Sequence, residues 1–74
     1  MAEPSIDEIV FIIQRDEEDG GYSAVCHRYG IFTQGDDLED LRAMVADAVA
    51  GRFADEPVKP QSIRLHFVHD EVLT

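Results

Sequence analysis

Three groups of side chains in this chain have types and spacing that could do chemistry. His66 and His69 stand three apart with Asp70 and Glu71 close behind, and imidazole with carboxylate is a donor set for a transition metal. That spacing suits a helix; on a strand it turns the two rings to opposite faces. Cys26 and His27 could form a thiolate–imidazole pair, but neighbours on a strand also face apart. A lone cysteine suggests a reducing compartment, or reads simply as a small apolar core residue. The third group is acidic, with Asp16, Glu17, Glu18 and Asp19 in one run and Asp36, Asp37, Glu39 and Asp40 in another. A two-metal nuclease needs carboxylates converging from strands, and the apolar run Ile9–Ile13 holds none. Gly20, Gly21 and Gly35 are turn glycines without a phosphate-cradle pattern, and acids already occupy the helix start that an anion would need. The expectation is therefore no catalytic residue, no metal site and no cofactor.

Charge points toward a protein partner instead. Sixteen acidic residues against six basic ones give a formal net charge of −10. Such a surface repels phosphate backbones and anionic membranes and speeds encounter with a basic protein. Asp16, Glu17, Glu18, Asp19, Asp36, Glu39 and Asp40 are the candidate partner-binding residues. The N-terminus is acidic and lacks the basic and apolar regions of a secretory signal. The longest apolar run, Ile9–Ile13, is far short of the ~20 residues that span a bilayer. A cytoplasmic location is expected, with no direct contact to nucleic acid or membrane.

These residues need a scaffold, and the alternation of apolar side chains predicts one. Residues 1–8 read as a tail, and 9–74 as a single domain. Ile9–Gln14 is apolar on both alternating sets, so a strand here must be covered on both sides. Gly20 and Gly21 turn the chain into a second strand, Tyr22–Tyr29, and after Gly30 a third runs over Ile31–Gln34. Asp37 is the expected N-cap of a helix, with Asp40 completing a shortened capping box. Leu38, Leu41, Met44 or Val45, Ala48 and Val49 recur at helical spacing, and Gly51 signals the stop. Two prolines, Pro57 and Pro60, lead into a last strand over Ser62–Val68. The order is βββαβ, an α+β unit with one helix packed on a small mixed sheet. A chain of this length buries only about 60% of its unfolded surface, and no disulfide framework reinforces it. One helix covers one face, so a homo-oligomer, most simply a dimer, is expected. Val10, Phe11, Ile12, Val25 and Tyr29 are the candidate contact residues.

The segments Gly20-Gly-Tyr-Ser-Ala24 and Thr33-Gln-Gly-Asp36, followed by an amphipathic helix, resemble the N-terminal domain of the HicB-like antitoxin family. The resemblance implies a truncated ribonuclease-H-like βββαβ fold and a non-enzymatic antitoxin role. It also implies a partner, a small basic HicA-type mRNA interferase whose catalytic histidine the antitoxin blocks. Two departures stand beside it. Antitoxin members usually continue into a DNA-binding domain, whereas this sequence ends at Thr74, and Gly30-Ile-Phe-Thr33 replaces a proline-rich loop. The Ile63-Arg-Leu-His-Phe-Val68 segment is similar to that of a stand-alone subgroup sometimes labelled as a 2-oxoisovalerate dehydrogenase subunit. Nothing in the chain resembles the diphosphate motif such an enzyme requires. The alternatives are an orphan domain with an unrelated protein or small-ligand partner, or a degenerate ribonuclease-H-like enzyme.

Overall fold

The computed structural model describes residues 6–18 and 20–68. Within them the order is β1 (Ile6–Arg15), β2 (Tyr22–Cys26), β3 (Ile31–Gly35), α1 (Leu38–Arg52) and β4 (Pro60–Phe67). The strands form one mixed sheet in the order β3-β2-β1-β4. β1 pairs antiparallel with β2, and β2 with β3, while the crossover through α1 returns β4 parallel to β1. This is the expected α+β arrangement of one helix on a small mixed sheet.

Two boundaries differ from expectation by three residues, and β4 starts two residues early, at Pro60. β1 begins at Ile6, inside the stretch read as a tail, because β4 extends far enough to pair Ile6 with Pro60 and Glu8 with Ser62. β2 ends at Cys26 rather than Tyr29, because residues 27–30 form a turn in which Gly30 takes φ +65°.

The core lies between the sheet and α1. Ile9, Phe11 and Ile13 from β1, Ala24 and Cys26 from β2, and Ile31 from β3 meet Leu41, Val45 and Val49 of the helix and Phe53 just beyond it. Cys26 is a buried free thiol within that cluster. Of the two alternatives at the helical spacing, Val45 is buried and Met44 exposed. The helix comes closest to β3 and β2, and β4 is the edge strand furthest from β3, with Leu65 partly buried against the core.

Capping fixes where α1 starts. Asp37 Oδ1 accepts the Asp40 N–H at 2.7 Å, satisfying one of the free amides of the first turn. Asp40 returns the bond one residue earlier than a standard box, its Oδ2 accepting the Asp36 N–H at 2.9 Å. At the other end, Lys59 Nζ donates to the Phe53 carbonyl at 2.8 Å, placing a cation on the negative end of the helix.

Candidate functional site

Two surfaces stand out once the elements are in place. One is an acidic end. The turn between β1 and β2 is closed by Asp16 N–H to Gly21 C=O and Gly20 N–H to Asp16 C=O, both 2.7 Å, with Gly20 at φ +78°. Asp16 Oδ1 also accepts the Glu18 N–H at 3.0 Å. Gly21 lies against the start of the helix segment: a Cβ there would come within 2.9 Å of the Gly35 carbonyl oxygen. A Cβ on Gly35 would in turn come within 2.5 Å of the Leu41 backbone. The two glycine motifs of the sequence therefore touch, and each has a close approach that only glycine allows. That contact brings Asp16, Glu17 and Glu18 to the same end of the sheet as Asp36, Asp37, Glu39 and Asp40, all exposed. Asp40 and Asp37 there already serve the helix cap. Asp19, grouped with this run, lies outside the described residues. The hollow at this end draws lining residues from both faces of the sheet, Ser23 and Gln34 from one and Tyr22 and Thr33 from the other, so it wraps an edge and encloses no chamber.

The second surface is the sheet face turned away from α1. The register sets His66, Ile12, Val25 and Phe32 side by side in one row across all four strands. Val10 stands next to Arg64 in the following row. Phe32 is 59% exposed and Val10 40%, with Ile12 and Val25 half-buried. Among the strand positions of this face only Glu8 and Arg64 carry formal charge, and they are paired: Arg64 Nε and Nη2 reach the two Glu8 carboxylate oxygens at 2.8 and 3.2 Å. The hydrogen bond from Arg64 holds Glu8 below the usual carboxylate range, against an opposing desolvation and with a lesser contribution from the charge of Arg64. The same bond raises Arg64.

The structure corrects two of the candidate contact residues. Phe11 is fully buried and faces the helix, because it shares the alternating set of Ile9 and Ile13. Tyr29 leaves the strand through the 27–30 turn and packs edge-on against Phe53, ring centroids 5.2 Å apart, with the Arg28 guanidinium 5.3 Å from its ring. Val10, Ile12 and Val25 are on the uncovered face as expected. Phe32, the most exposed of the large apolar residues there, was missed; alternation against buried Ile31 and Thr33 was the signal that could have found it. His66 faces outward in the Ile12 row, while His69, Asp70 and Glu71 lie outside the described residues. Among the described residues, no group of three His, Cys, Asp or Glu side chains comes together to hold a metal ion, and no helix is long and apolar enough to cross a membrane.

The described residues thus form a small α+β domain with an acidic end and a bare, nearly uncharged sheet face. The chain belongs to the UPF0150 family. It is 49% identical over 63 residues to a UPF0150 protein of Thermotoga maritima, covering 85% of this chain and 86% of that one. To a UPF0150 protein of Archaeoglobus fulgidus it is 42% identical over 50 residues, 68% of this chain and 73% of the relative. No family model and no solved structure matches the chain.

Proposed function

We propose that this protein is a non-enzymatic, HicB-like module that associates with itself and binds a second protein. The observation that carries the proposal is the bare sheet face. A large apolar row, Ile12–Val25–Phe32 with Val10 beside it, is left open by the one helix and is almost free of charge in a chain of net charge −10. Two like-charged chains can meet there with the face's one strand carboxylate, Glu8, already paired to Arg64, and burying the row stabilises by roughly 25 cal/mol per Å² of apolar surface removed from water. The strand order and the contact between the Gly20-Gly21 and Gly35 motifs support a truncated ribonuclease-H-like fold of the HicB type.

The acidic end suits a small basic partner, for which a HicA-type mRNA interferase is the expectation the resemblance raises. Replacing Val10 or Phe32 with Asp places a charge on the bare face and should lower the mass in solution while the circular dichroism spectrum stays that of the wild type. Unchanged association in both variants would remove the sheet face from the interface. The partner is sought by capture from the native host, followed by binding kinetics at several salt concentrations. Exposed charges are screened over ~8 Å at physiological ionic strength, so a partner drawn by the acidic end should associate more slowly as salt rises.

A further inference from the structure

The bare sheet face is not all of the apolar surface that the helix leaves uncovered. β4 is an edge strand, and its Ile63, Leu65 and Phe67 stand in register with Ile9, Phe11 and Ile13 on the helix side. The β1 residues are buried and Leu65 is partly buried against the core, whereas Ile63 is 37% and Phe67 49% exposed on the edge strand furthest from β3, where the helix packs most closely. The backbone of the same residues turns outward. The Val68 N–H donates to the Ile13 carbonyl at 2.9 Å. In a parallel ladder that bond makes Ser62, Arg64 and His66 the inward-bonding residues and directs the N–H and C=O of Ile63, Leu65 and Phe67 away from the sheet. β3, the opposite edge, is five residues long and turns only Phe32 and Gln34 outward in this way. Edges of natural sheets are commonly blunted by free charges, proline, bulges or shortness, and β4 carries a proline only at its first position, Pro60. Here the strand is eight residues long, and its one arginine is already held by Glu8.

We propose that β4 pairs antiparallel with β4 of a second copy, joining the two sheets edge to edge. The proposal rests on the self-association reading above and adds where a contact forms. Two features name a second copy as the occupant. Outward-directed residues must meet outward-directed residues, so Ile63, Leu65 and Phe67 face their own kind across the two-fold axis and carry the apolar stripe of β1 into the neighbour. The second feature is charge: β4 contains no acidic residue, so pairing the two strands sets no strand carboxylate against another in two strongly acidic chains.

Light scattering on Ile63→Lys and Phe67→Lys, with Val10→Asp as the comparison, separates the possibilities. Both edge variants should lower the mass of the assembly while retaining the wild-type circular dichroism spectrum. Residue-resolved hydrogen exchange on the wild type needs no substitution: the Ile63, Leu65 and Phe67 amides should exchange as slowly as those of β1. A wild-type oligomer that survives both edge substitutions, with those three amides exchanging at the rate of open strands, overturns edge pairing and leaves self-association standing. A monomeric wild type overturns both.

Discussion

Val10 and Phe11 are adjacent, yet they have opposite environments, and that difference gives the sharpest test at the scale of single residues. Phe11→Ala removes a fully buried ring from the middle of the core and should cost about 3–5 kcal/mol. That is a large part of what so small a domain has. Val10→Asp acts on the solvent side and should change monomer stability by only about 0.5 kcal/mol. Denaturant titration of wild type and both variants, at a protein concentration low enough that none associates, makes the comparison; equal losses would contradict the assignment of faces. The Glu8–Arg64 pair gives a pH signature. Glu8 titrates below its ordinary range in the fold, so its pairing is fully present above the unfolded carboxylate pKa and is lost as pH falls through the lowered folded value. The gap in melting temperature between wild type and Glu8→Gln should therefore exist at neutral pH and close on acidification. It should be small, since both side chains are exposed to solvent and salt. A gap that persists at pH 2 would show that Glu8 acts by something other than its charge.

Among the elements, α1 was the most legible in the sequence, because capping is local: Asp37 and Asp40 lie within one turn of the amides they serve. The first two strands were legible as alternation, but their limits were not. The 27–30 turn removed Tyr29 from the strand pattern, and pairing with β4 drew Ile6–Glu8 into β1. Glu8 and Arg64 are 56 residues apart, and only the register of the crossover strand brings them together, which no local pattern encodes. Phe32 was readable by alternation, whereas the bareness of Ile63 and Phe67 depends on where the helix lies across the sheet. The acidic elements should separate under mutation. Asp37→Ala removes the cap and should lower stability by ~1 kcal/mol in thermal or denaturant unfolding. Replacing Asp16, Glu17, Glu18 and Asp19 with their amides keeps an oxygen that can accept the Glu18 N–H, so the fold should hold while association with a basic partner slows. Capture that proceeds at the same rate with the neutralised turn would assign that charge to solubility alone.

At the scale of the whole molecule, the described residues of this 74-residue chain fold one helix onto one face of a four-stranded sheet and leave apolar side chains on the other face and along β4. Below about 70–80 residues a core of this kind supplies only roughly 3–5 kcal/mol, and neither a disulfide nor, among the described residues, a metal cluster adds to it. On the proposed self-association, the bare surface would be buried and the missing stabilisation supplied, so the stability of the fold should rise with protein concentration. The mass of the wild-type protein in solution, read by light scattering after size exclusion at micromolar concentration, tests this most directly. A mass of two or more chains of 8.3 kDa is the predicted result. A single chain of 8.3 kDa, with a melting temperature that does not move with concentration, would contradict it.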